Sequence, residues 1–138
     1  MPQEKIIADG VRGAPDVGVL ATHAPKRIAV MVWHYHDDDL AGPDAGVKLA
    51  VAGLPANLAS ARLSHYRIDQ QHSNAYAAWL RMGSPIAPDP AQYAALKKAS
   101  GLASLESSPA TTAVKDGVAT LEFSLPRQAV SLLLLEWD

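Results

Sequence analysis

The stretch Thr111-Thr112-Ala113-Val114-Lys115-Asp116-Gly117-Val118-Ala119-Thr120-Leu121-Glu122-Phe123-Ser124-Leu125 carries the pattern that decides the fold. Ala119, Leu121, Phe123 and Leu125 alternate with Thr120, Glu122 and Ser124, which is the period of a strand with one wet face. Asp116-Gly117 supplies a tight hairpin turn, so a partner strand runs back over Thr111 to Lys115. Working outward, Val130 to Trp137 places Leu132 and Leu134 on one face and Leu133, Leu135 and Trp137 on the other, as a central strand requires. Arg27 to His36 is a second central strand, with Ile28, Val30 and Val32 opposite Ala29, Met31, Trp33 and Tyr35. Val47, Leu49 and Val51 alternate with Lys48 and Ala50, the mark of a strand nearer the surface. Weaker strand signals cover Val17 to Thr22 and Ala61 to Ile68. In the latter Leu63, Tyr66 and Ile68 break strict period two, and a bulge near Ser64 and His65 is predicted.

Between Asp69 and Gly101 the pattern becomes helical. Ser73 or Asn74 caps a helix bearing Tyr76, Trp79 and Leu80 on one face and ending at Gly83. Asp89-Pro90-Ala91-Gln92 opens a second helix with an N-cap, a proline in the first turn and Gln at the third position. Tyr93 and Leu96 are expected to face inward, and Gly101 ends it. Ser84-Pro85-Ile86-Ala87-Pro88 is a stiff linker between them. No regular strand-helix alternation supports a parallel sheet. The expected fold is therefore mainly β, an antiparallel β-sandwich of about seven or eight strands with a two-helix insertion near residues 70–101.

Composition bounds the function. With 138 residues the chain is one domain, and 49% apolar against 19% charged residues is the balance of a folded soluble protein. A net charge of −2 offers no positive field, so nucleic acid is not an expected partner. The absence of cysteine removes disulfides, thiolate metal sites and cysteine nucleophiles. The apolar run Ala129 to Leu135 is too short to span a bilayer and is broken by Ser131, so no membrane partner is expected; the N-terminus has no signal-peptide core. Gly-x-Ser-x-Gly, His-Glu-x-x-His and phosphate-loop patterns are all missing, and no cofactor is called for.

Two polar clusters remain. His34-Tyr35-His36-Asp37-Asp38-Asp39 closes a strand, and His34 and His36, two apart, point to one face where a carboxylate could complete a metal site. The bland reading, that they satisfy backbone and turn partners, outweighs the metal reading, and contact with a ligand or another domain is the third. The second cluster runs through His65-Tyr66-Arg67-Ile68-Asp69 and His72-Ser73-Asn74-Ala75-Tyr76 to Trp79. Its aromatic, imidazole and amide groups suit sugar hydroxyls, yet Tyr76 and Trp79 at helical spacing equally suit packing of the helix on the sandwich.

Both clusters, with Met82-Gly83-Ser84-Pro85 and Leu125-Pro126-Arg127-Gln128-Ala129-Val130-Ser131-Leu132-Leu133, resemble in order and rough spacing the C-terminal region of bacterial glycoside hydrolase family 39 β-xylosidases. His34 departs from the asparagine more usual there. The resemblance implies a β-sandwich packed on a (β/α)8 barrel that carries both catalytic glutamates of a retaining hydrolase. This sequence has no Asn-Glu pair, so no catalytic residue carries over and the chain is not expected to be an enzyme. It implies an accessory role in xylan degradation, buttressing the barrel and bordering its active site, with the bacterial cytoplasm or periplasm as compartment. Residues 1–16 then read as a linker from the barrel and 17–138 as the sandwich. His36, Asp37, His72, Asn74, Tyr76 and Trp79 are the candidates for contact with barrel or carbohydrate, with weak xylo-oligosaccharide binding. A surface freed of its barrel predicts self-association through that surface or a sheet edge. The alternative is a stand-alone carbohydrate-binding module using Trp79, Tyr76 and His72.

Overall fold

The computed structural model describes residues 16–36 and 40–138. The expected linker therefore lies almost wholly outside the described residues, as does Asp37. Eight strands and two helices follow in the order β1 (Val17–Ala24), β2 (Arg27–His34), β3 (Ala45–Ala52), β4 (Ser60–Ile68), α1 (Ala75–Arg81), α2 (Pro90–Ala99), β5 (Ala103–Ser104), β6 (Thr111–Lys115), β7 (Val118–Leu125) and β8 (Ala129–Glu136). All strand pairs are antiparallel, in the order β1-β2-β8-β4-β6-β7-β3, with β5 added to β4. The result is a nearly closed antiparallel sheet, folded so that β2, β8 and β4 lie over β7 and β3, as a mainly β sandwich with a two-helix insertion requires.

Alternation puts one face of β2, β3, β4, β6, β7 and β8 into a single core. Ile28, Val30 and Val32 of β2, Leu63 of β4, and Leu133 and Leu135 of β8 meet Val51 of β3 and Ala119, Leu121 and Leu125 of β7. The Asp116-Gly117 turn forms as expected, with φ of 51° and 75°, the doubly positive geometry of a type I′ hairpin. β2 and β8 are interior to the strand order and β3 ends it.

The bulge expected in β4 is not there. Its register against β8 runs unbroken from Arg62↔Glu136 to Ile68↔Val130. Ala61, Leu63, His65 and Arg67 all face inward, and Tyr66 and Ile68 face out. The sequence pattern misleads because the inner face is polar at two positions, which shifts the apparent apolar period onto the outer face.

Both helix starts form as read. Asn74 Oδ1 accepts from Ala77 N–H at 2.9 Å, and Asp89 and Gln92 complete a reciprocal capping box. The inward faces do not. Ala77 and Ala78 are the buried residues of α1, whereas Tyr76 is 66% exposed; α2 buries no residue, and Tyr93 is 65% exposed. Two short helices with small inward residues rest on each other at the edge of the sandwich and leave Tyr76 and Tyr93 outside, with Trp79 half-buried. No helix among the described residues is long and apolar enough to cross a membrane.

Candidate functional site

Both polar clusters sit at one end of the sheet. His34 pairs with Ala129 and Ile68 with Val130, so the end of β2 and the end of β4 flank the start of β8. Two strand spacings, about 10 Å, separate them.

On the β2 side, His34 and His36 are both buried, with Nε2 atoms 3.0 Å apart. His34 Nδ1 lies 3.1 Å from the Leu125 carbonyl, which can only accept, so that nitrogen carries the proton. In the neutral pair His34 Nε2 is then the acceptor and His36 Nε2 the donor. Gln128 Nε2 donates to the His36 carbonyl at 2.6 Å. These bonds tie the exit of β2 to the β7–β8 turn.

On the β4 side, Asp69 Oδ1 accepts from the backbone of Gln71 and His72 and from His72 Nδ1, each at 2.8 Å. Burial alone would raise this carboxyl, yet these three hydrogen bonds and the charge of His72 outweigh it and hold the pKa below its ordinary value. Asn74 Nδ2 donates to the Asp69 carbonyl at 3.0 Å, and Ser73 Oγ donates to the Arg67 carbonyl while accepting from Ala103 N–H. His72 and Asn74 therefore shape the turn from β4 into α1, with His72 Nδ1 and both ends of the Asn74 amide engaged within it. Tyr76 and Trp79 stack with ring centroids 5.8 Å apart, and Trp79 Nε1 donates to the Pro85 carbonyl at 3.0 Å. Of the candidates, His72, Asn74, Tyr76 and Trp79 thus gather on one excursion, and His36 stands across β8 from them.

Beneath this rim lies a polar network that the sequence reading missed. Ser131 is completely buried. Its hydroxyl accepts from Arg67 Nε at 3.0 Å and donates to His65 Nε2 at 2.9 Å, which leaves the proton of neutral His65 on Nδ1, facing Ser108 Oγ at 3.2 Å. Arg67 also donates through Nη2 to the Ser124 carbonyl and lies 3.7 Å from Asp69. Burial, then the neighbouring Arg67 charge, pushes His65 down to about 4. Burial lowers Arg67 as well, against the raising pull of Asp69 and Asp44. The available signal was Ser131 itself, a hydroxyl interrupting the inward face of an otherwise apolar strand. Among the described residues no group of three potential ligands could hold a metal ion.

No family model matches the chain, and no curated protein matches it significantly. Solved structures do match its fold. The glycoside hydrolase family 39 enzyme from Xanthomonas axonopodis pv. citri superposes with a TM-score of 0.73 at 22% identity, over 87% of this chain and 26% of that one. A bacterial orthologue of human α-L-iduronidase gives 0.73 at 23% identity, over 88% of this chain and 22% of that one. A monomeric β-xylosidase from Caulobacter crescentus CB15 gives 0.67 at 19% identity, over 86% and 26%. The chain spans about a quarter of the length of these enzymes and has the fold of one portion of them. It resembles part of a glycoside hydrolase, with no catalytic domain evident among the described residues.

Proposed function

We propose that this chain is a non-catalytic accessory β-sandwich of a family 39 β-xylosidase, which buttresses a catalytic barrel and borders its active site. The observation that carries this reading is the pair of coverages: nearly all of this chain superposes on about a quarter of each neighbour. The described carboxylates support it. Asp69 is spent on the β4–α1 turn, and Glu122 and Glu136 pair with Lys48 and Arg27 on the surface. The barrel-facing surface in this reading is the helical excursion, where Tyr76, Leu80, Ile86 and Tyr93 are exposed, together with the His36 rim.

A second reading, a stand-alone carbohydrate-binding module, is favoured by the stacked Tyr76 and Trp79, since an exposed aromatic face is what a pyranose ring packs on. The purified chain is assayed on an aryl β-xyloside, and the reading frame upstream is sequenced. No hydrolysis above buffer and an adjoining barrel-coding frame are expected. Turnover that survives repurification, or an independent gene, would overturn the accessory reading.

A further inference from the structure

β6 joins β4 to β7 only at one end. It pairs with Ser60, Ala61 and Arg62 of β4 and with just Val118 and Ala119 of β7. Beyond that point β7 continues to Leu125 with β3 on one side and, among the described residues, no strand on the other. β4 is instead flanked by the irregular segment 105–110, whose Leu105 N–H reaches the His65 carbonyl at 2.7 Å and whose Ala110 carbonyl accepts from Leu63 N–H at 2.8 Å. The wall of the sandwich therefore parts into a cleft of about 500 Å³ between this segment and β7, within the size range of small-molecule sites.

The lining is specific in its chemistry. Six hydroxyl side chains line it, those of Ser107, Ser108, Thr111, Thr112, Thr120 and Ser124. Asp44, whose Oδ2 already accepts from Ser124 Oγ at 2.7 Å, adds a carboxylate that accepts from hydroxyl donors and repels anions, and Glu122, paired with Lys48, stands beside it in the lining. Among the described residues Arg67 is the one cation of the lining, and its guanidinium is already held by Ser131, the Ser124 carbonyl and Asp69. An anion would find no free partner there. Phe123 stands edge-on to His65 at 4.9 Å and gives the cleft an apolar ring against which C–H groups can pack.

We propose that this cleft binds a neutral polyhydroxylated molecule of monosaccharide size. The site is separate from the Tyr76–Trp79 platform and goes beyond the accessory-domain reading, which survives whether or not the cleft binds.

The test is a titration of the 15N-labelled chain with D-glucose and with D-glucuronate, which differ only in the oxidation of the exocyclic carbon. Glucose should shift the amide signals of Ser108, Thr120, Phe123 and Ser124 and approach saturation by about 100 mM, as a weak small-ligand site would. Glucuronate should bind at least about five-fold more weakly because of the Asp44 carboxylate. Thr120→Trp, at an exposed strand position, should fill the cleft and abolish the shifts while the spectrum stays dispersed. Should that variant unfold, Asp44→Ala serves instead, with an expected weakening of about three-fold or more for one lost charged acceptor. Absence of a saturable shift, shifts confined to Tyr76 and Trp79, or equal binding of glucuronate would each overturn the proposal.

Discussion

His65 Nε2 lies 2.9 Å from the hydroxyl of Ser131, on a strand neighbour that is entirely shut from solvent, and the same hydroxyl takes the Arg67 Nε proton. A positively charged His65 would have to donate where it now accepts, beside a fixed cation. The network is therefore satisfied only with His65 neutral.

A pH dependence of stability follows, with a definite sign. The folded-state pKa of about 4 lies below the ordinary 6.5, so as pH falls through 6.5 the unfolded chain takes a proton that the native chain refuses. Stability contributed by neutral His65 is present above 6.5 and is lost progressively down to about 4, by roughly 2–3 kcal/mol after allowance for relaxation and water entry. Asp69, held below its ordinary 3.8, adds a further loss as pH falls below that value. Urea unfolding at a series of pH values measures this, and His65→Gln should flatten the limb between 6.5 and 4. A wild-type limb as flat as the variant's would show that His65 protonates freely in the fold.

The hairpin that made the fold readable is also its most exacting turn. Gly117 has φ +75°, and a Cβ there would stand 2.7 Å from the Leu54 carbonyl oxygen, whose own residue donates its N–H to Gly117 O at 3.1 Å. Gly117→Ala should cost about 1–3 kcal/mol, from the left-handed backbone and the displaced Leu54 together. The urea midpoint reads this directly. An unchanged midpoint would mean that the turn does not hold Leu54 as described.

What was legible follows from how locally each feature is written. The Asp116-Gly117 turn, the Asp89-Pro90-Gln92 cap and the apolar alternation of β2, β7 and β8 are settled by neighbours in sequence, and they form as read. The inner face of β4 was not legible because His65 and Arg67 share a hydroxyl partner, Ser131, that lies 66 and 64 residues away. Tyr93 and Tyr76 misled for the converse reason: helical spacing states that apolar residues share a face, and tertiary structure decides what that face meets. His72 and Asn74 were found as a polar cluster, but their bonds to Asp69 turn them toward the chain itself.

The His34–His36 pair gives a metal test with a clear contrast. Both ring nitrogens of His34 and the Nε2 of His36 are engaged by Leu125 and by each other, so chelator treatment should leave the melting temperature unchanged. His36→Ala should lower stability by about 1–3 kcal/mol, because it strands the buried Nε2 of His34. A chelator-induced drop of several degrees that zinc restores would identify a metal site instead.

The last expectation concerns association. Seven strands lie on the main path, all antiparallel, so the two terminal strands β1 and β3 run the same way and cannot close against each other as an antiparallel pair. Each is left with an edge that no strand of the path covers. Between them lies a cleft of about 400 Å³ lined by Val19, Ala21, Ile28, Val30, Leu49 and Val51 among others. β1 also shows apolar side chains on both faces, with Val19 58% and Leu20 56% exposed. A second copy can pair its own β1 antiparallel to this one about a two-fold axis, which joins the free backbone groups and covers those side chains in one step. Light scattering over a concentration series should therefore pass from monomer toward dimer. Leu20→Lys, which places a charge on the outer face of the edge strand, should hold the chain monomeric without loss of thermal stability. A monomeric mass at the highest soluble concentration would mean that the β1 edge is protected within one copy.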